Sequence, residues 1–108
     1  MNCILDMHCH TIASGHAYST LQEIVSSAKQ KGLKLVGISD HAPAMPGTAH
    51  IFYFANLKVI PKVIDDIRVL KGVEANIIDY DGNIDMTERD LRGLDYAIAS
   101  MHTPCLKP

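Results

Sequence analysis

Several features that would direct the reading of this chain are missing from it. Lys and Arg total 10 against 12 Asp and Glu, a formal charge of −2, so there is no basic footprint for nucleic acid. The longest apolar runs are far too short to cross a bilayer, which argues against a membrane role. Met1 leads through Cys3-Ile4-Leu5 into Asp6 with neither a basic start nor a cleavable apolar stretch, and the expectation is a cytoplasmic chain. No GxxxxGK[ST] or GxGxxG loop and no nucleophile elbow is present. There is no internal repeat or low-complexity tract. Cysteine is sparse: Cys3, Cys9 and Cys105 form no CxxC and no even-numbered framework, so free thiols are expected.

What remains is ordinary in bulk. Hydrophobic residues make up 47% and charged residues 20% of 108 positions, enough for one domain with one modest core. Cys3 to Met7 reads as a buried strand, followed by a loop from His8 to Tyr18. Ser19-Gln22 and Thr20-Glu23 both fit a capping box. The stripe Leu21, Ile24, Val25 and Ala28 predicts a helix, with Lys29 and Lys31 favourable in its last turn and Gly32 as its stop. Leu33 to Ser39 is an almost continuous apolar run of the kind found in parallel sheets. Asp40 to Phe54 is expected as a loop and Asn56 to Asp66 as a helix disturbed at Pro61. Ile67 to Ile78 holds a third strand, Asp79 to Asn83 a turn, Thr87 to about Leu91 a capped helix, and Leu94 to Ser100 a fourth strand. The order β-α-β-α-β-α-β implies an α/β fold with a parallel sheet and helical crossovers.

In such folds, sites gather where strands end, and the histidines lie there. Asp6-Met7-His8-Cys9-His10 closes the first strand, with His16 six residues on; Asp40-His41 follows the second; His102 follows the fourth. Glu74 interrupts the apolar third strand, and a buried carboxylate needs a partner. His8 and His10 are two apart, so on a strand both point the same way and can grip one ion. Asp6 and Asp40 are placed to orient a neighbouring imidazole. Cys9 faces away from its neighbours by strand alternation, Cys3 alternates with Leu5 and Met7 as a core residue, and Cys105 is incidental. His50, in a loop bearing proline and glycine, is expected on the rim, near substrate. Each residue alone has an ordinary explanation: a lone strand-end histidine is usually a surface or core residue, and Glu74 alone would pair with Lys71 or Arg68. Five histidines and a glutamate recurring at strand ends point instead to a shared site for first-row metal ions.

The segments DMHCH, ASGHAYST, SDHAP, KGVEANI and ASMHTP resemble the polymerase and histidinol phosphatase (PHP) domain, in particular its small stand-alone bacterial phosphatases, over essentially the whole chain. That resemblance implies a distorted seven-stranded (β/α) TIM-like barrel, of which residues 1–108 would be one partial domain of about four β/α units. It implies up to three divalent ions, zinc foremost, with manganese or iron as alternatives. His8 and His10 would hold one ion, Glu74 would bridge it to a second bound by His102, and His16 and His41 would hold the third. The implied activity is hydrolysis of a small phosphorylated substrate by activated water, with no protein nucleophile. The resemblance also requires a further His and an Asp-x-His pair from strands beyond Pro108. The isolated chain is therefore expected to bind metal weakly and to turn over poorly or not at all. Two alternatives stay open: a half-barrel completed by homodimerisation through its open edges, and a non-catalytic metal-binding or interaction module.

Overall fold

The computed structural model describes residues 5–15 and 17–106; Cys3 and His16 lie outside them. The elements are β1 (Leu5–Cys9), α1 (Leu21–Gln30), β2 (Leu35–Ile38), α2 (Ile51–Asn56), β3 (Val63–Ile64), β4 (Ile67–Ile77), α3 (Glu88–Arg92) and β5 (Tyr96–Met101). β1, β2, β4 and β5 are parallel neighbours in that order, and β3 pairs antiparallel with the start of β4. The result is an α/β fold whose curled sheet is an open part of a TIM-like barrel. Among the described residues no helix is long and apolar enough to cross a membrane.

β4 is the spine. It takes β2 on one edge through Arg68 to Lys71 and β5 on the other through Gly72 to Ile77. Its alternation sorts the two faces. Ile67 and Val69 pack with Val25, Ala28 and Val36 under α1, while Val73 and Ala75 pack with Ile38, Phe54, Leu57 and Met86. The opposite parity carries Gly72, Glu74 and Asn76.

The capped helices form as the sequence predicts. Thr20 with Glu23 and Thr87 with Asp90 each close a reciprocal capping box, and Gly32 takes a positive φ of 77° just after α1. The second crossover differs from expectation. The helix comes earlier, at Ile51–Asn56 inside the expected loop, and ends in a 3₁₀ turn at Leu57–Val59. Beyond Pro61 the chain forms a hairpin, β3 to β4, in place of a helix over 56–66. Asp65 and Asp66 carry positive φ of 51° and 67°, the pattern of a two-residue turn matched to strand twist. Strand pairing of Val63 and Ile64 with Arg68 and Ile67 satisfies backbone groups that Pro61 prevents a helix from using. The first strand also runs later than expected, to Cys9.

One side chain crosses the sheet. The Tyr96 hydroxyl donates to the Met7 carbonyl at 2.7 Å, reaching from β5 over β4 and β2 to β1. Gly72, its register partner, and Gly37 make room for the ring: a Cβ at Gly72 would sit 2.6 Å from the ring, and one at Gly37 2.4 Å from the hydroxyl oxygen. Burial pushes the Tyr96 phenol up to about 12, so it stays a donor at neutral pH. Gly72→Ala should therefore destabilise the chain by about 1–3 kcal/mol through overpacking, measured by urea unfolding. A loss below about 0.5 kcal/mol, the range of an ordinary surface substitution, would contradict this account of the ring.

Candidate metal centre

Register brings His8, His10, His41, Glu74 and His102 to one rim. β1 carries a bulge: the four residues Asp6 to Cys9 lie opposite only three, Val36 to Ile38, and such an insertion re-aims side chains near a site. The chain past β2 stays paired with β4, since the Glu74 N–H donates to the Asp40 carbonyl at 2.9 Å and the Ala42 N–H to the Glu74 carbonyl at 3.0 Å. His41 is thereby fixed opposite Glu74. His102 follows Met101, which pairs with Ile77.

Glu74 is the centre of the cluster, with its side chain 5% exposed. Its Oε1 lies 2.5 Å from His8 Nε2 and 2.9 Å from His10 Nε2. Its Oε2 lies 3.1 Å from His102 Nε2 and 3.7 Å from His41 Nδ1. Each carboxylate oxygen thus faces its own pair of imidazoles. The His10 and His41 rings stack at 4.5 Å, and His41 meets His102 edge-on at 4.8 Å. Burial raises the Glu74 carboxyl, but the His8 hydrogen bond, the His41 charge, Ser100 and His10 outweigh it and hold the group below its ordinary range.

The donor set suits borderline divalent cations, being imidazole nitrogen and carboxylate oxygen throughout. His8, His10 and Glu74 form one group and His41, Glu74 and His102 a second, with the ligand atoms of each within 4.8 Å of one another. Two bonds of about 2 Å to a common centre nearly span that distance. The structure places His41 with Glu74 and His102; His16, which the resemblance implies as its partner, lies outside the described residues. His50 joins neither group; it is exposed and caps α2, its Nδ1 accepting from the Phe52 N–H at 3.1 Å.

The residues around the imidazoles were mostly not legible beforehand. Asp6 accepts from the His8 backbone N–H at 3.1 Å, within the bulge. Asp40 is 1% exposed and pairs with no cationic side chain among the described residues. Its oxygens accept instead from the Thr11 N–H at 2.6 Å, the Thr11 hydroxyl at 2.8 Å, the Ser14 hydroxyl at 2.7 Å and the Tyr53 hydroxyl at 2.5 Å. Ser14 in turn meets His10 Nδ1 at 3.0 Å, and Asn76 meets His102 Nδ1 at 2.9 Å. Cys9 lies on the other face of β1 beside Asp6, Glu23 and Lys31. Burial first, then Asp6, pushes its thiol up to about 11, leaving little thiolate at neutral pH.

The PHP domain profile matches residues 6–108, and the chain belongs to the PHP domain family. A probable phosphatase of Acetivibrio thermocellus is 53% identical over all 108 residues of this chain, which cover 45% of that relative. A probable phosphatase of Caldanaerobacter subterraneus subsp. tengcongensis is 56% identical over the same 108 residues and 42% of its own length. One from Clostridium acetobutylicum is 48% identical, again over the whole chain and 44% of the relative. The chain spans a little under half the length of these curated relatives.

Asp40→Ala would leave the buried Thr11 and Ser14 donors and the half-buried Tyr53 hydroxyl without their shared acceptor. Unfolding in urea should show a loss of at least about 3 kcal/mol, summing several orphaned groups. A loss under about 1 kcal/mol would show that Asp40 does not organise this rim.

Proposed function

We propose that this chain carries the first part of the active site of a metal-dependent phosphoesterase acting on a small phosphorylated substrate. The observation that supports it best is the Glu74 carboxylate, each oxygen facing a separate pair of imidazoles, an arrangement suited to bridging two cations. Divalent ions held there would neutralise phosphate charge and acidify a water for in-line attack on phosphorus. Zinc is the first expectation from the donors, with manganese and iron also compatible. His8 and His10 would hold one ion with Glu74 Oε1, and His102 the second with Oε2. His41 stands beside Oε2 and is also available to a third ion.

The chain's own contribution is positioning. The His41 side chain is 13% exposed and Glu74 5%, while His8 is 52% exposed. Water and substrate would therefore reach the centre from the His8 side. Residues 1–108 are read as one partial domain. Because the relatives are more than twice as long and the sheet is open, the chain alone should hold ions weakly and turn over slowly.

The outer strands favour a second reading. Leu5 on β1 is 45% exposed and Met101 on β5 62% exposed, so a second copy covering these edges would make a twofold assembly. A metal-binding module without turnover is the third.

With p-nitrophenyl phosphate and added Mn²⁺ or Zn²⁺, the 108-residue chain should show chelator-sensitive hydrolysis below about 1 s⁻¹, the low end of ordinary turnover. His10→Ala and Glu74→Ala should abolish it. Hydrolysis that persists in chelator or in both variants would overturn the reading. Uptake of the ions with no hydrolysis would favour the non-catalytic module, and sedimentation of the same sample as a dimer would favour the second.

A further inference from the structure

Two of the imidazoles are held by hydrogen bonds whose direction can be worked out. Ser14 is fully buried. Its Oγ lies 2.7 Å from Asp40 Oδ1, 3.0 Å from His10 Nδ1 and 3.1 Å from the His41 backbone N–H. A hydroxyl has one proton to give. Were it given to His10, two proton-free oxygens would face each other at 2.7 Å. Donation to the carboxylate is also the stronger, charge-assisted bond. The Ser14 hydroxyl therefore donates to Asp40 and accepts from the His41 N–H and from His10. His10 must then carry its proton on Nδ1.

The same reasoning applies on β4. Asn76 is fully buried. Its Nδ2 lies 3.0 Å from the Ala42 carbonyl and 2.7 Å from Asp85 Oδ2, and its Oδ1 2.9 Å from His102 Nδ1. Turning the amide over would set its oxygen against two acceptors at once. Asp85 is itself anchored, its Oδ1 accepting from the Asn76 N–H at 2.8 Å and its Oδ2 from the Ala44 N–H at 2.9 Å. The amide orientation is thus fixed, and His102 Nδ1 also carries a proton.

We infer that Ser14, backed by Asp40, and Asn76, backed by Asp85, are positioning residues that keep Nδ1 of His10 and His102 protonated, so that Nε2, which faces Glu74 at 2.9 and 3.1 Å, is the nitrogen of each ring that gives up its proton when a cation binds. The inference rests on the metal-centre reading for its purpose, but the proton assignments stand apart from it. A ring free to exchange tautomers would spend part of its time with its lone pair on Nδ1, aimed away from the site. Polar partners of this kind are worth about 10–100-fold in metal affinity.

The test is imidazole nitrogen NMR on the ¹⁵N-labelled, chelator-treated 108-residue chain. Two-bond ¹H–¹⁵N correlations report the proton on each ring nitrogen. At neutral pH, Nδ1 of both His10 and His102 should lie in the protonated range. An unprotonated Nδ1 at either residue in the wild-type chain overturns the assignment, whether or not a variant folds. Ser14→Ala should bring unprotonated Nδ1 into the His10 signal while leaving His102 unchanged. It should also weaken Zn²⁺ binding about 10–100-fold, and Ser14→Thr, which keeps the hydroxyl, should restore most of it. A Ser14→Ala chain that folds with His10 Nδ1 protonated as in the wild type would also overturn the inference. Protonated Nδ1 with no Zn²⁺ uptake would support the assignment and contradict the metal reading; Zn²⁺ uptake with an unprotonated Nδ1 would do the reverse.

Discussion

A carboxylate set inside an apolar strand has to be compensated where it lies, because an ionised group removed from water without partners is far too costly to keep. Glu74 sits between Val73 and Ala75, both with no exposed surface, so its compensation can come only from the face it projects onto. Four imidazoles from three other chain segments meet it there. The requirement ties the strands together. β2 and the residues after it must stay in register with β4 to bring His41 opposite Glu74, the β1 bulge must turn His8 inward, and β5 must end level with β4 to deliver His102. The strand-end geometry that makes the site is also what keeps the buried charge tolerable.

The Tyr96 ring complements this arrangement below the rim. It lies on the same face as Glu74, over two glycines, and bonds to the Met7 carbonyl of β1. Four parallel strands are thus linked at two levels of one face, by a ring and by a carboxylate with its imidazoles. Asp40 and Asp85 make a third set of links through neutral hydroxyls and an amide. Among the described residues neither carboxylate has a cation beside it, and both are instead filled with N–H and O–H donors.

Much of this was legible in the sequence, for identifiable reasons. The capping boxes at Thr20 and Thr87, the apolar stripe of α1 and the long third strand are local patterns, written within a few residues of one another. The histidines were legible because their type recurs where strands end. The hairpin over Val63 to Ile67 was not: Asn56 to Val59 looks helical on its own, and only the positive φ at Asp65 and Asp66 shows the reversal. α2 was hidden because its cap is His50, an unusual choice for that position. Ser14, Asn76, Asp85 and Tyr96 escaped notice because their roles depend on partners that only the fold brings near; Tyr96 and Met7 are 89 positions apart. Asp40 was picked out for its neighbour His41, yet its bonds run through Ser14 to His10.

The most direct test of the central claim, that one carboxylate joins two cation positions, is electron paramagnetic resonance of the chain titrated with Mn²⁺. Two ions bridged by Glu74 should give an exchange-coupled signal that grows in as the second equivalent binds. The coupled signal should vanish in Glu74→Ala even where ions still bind to the histidines. Uncoupled Mn²⁺ at every loading of the wild-type chain, or a coupled signal that survives Glu74→Ala, would contradict the bridging role on which this account of the site is built.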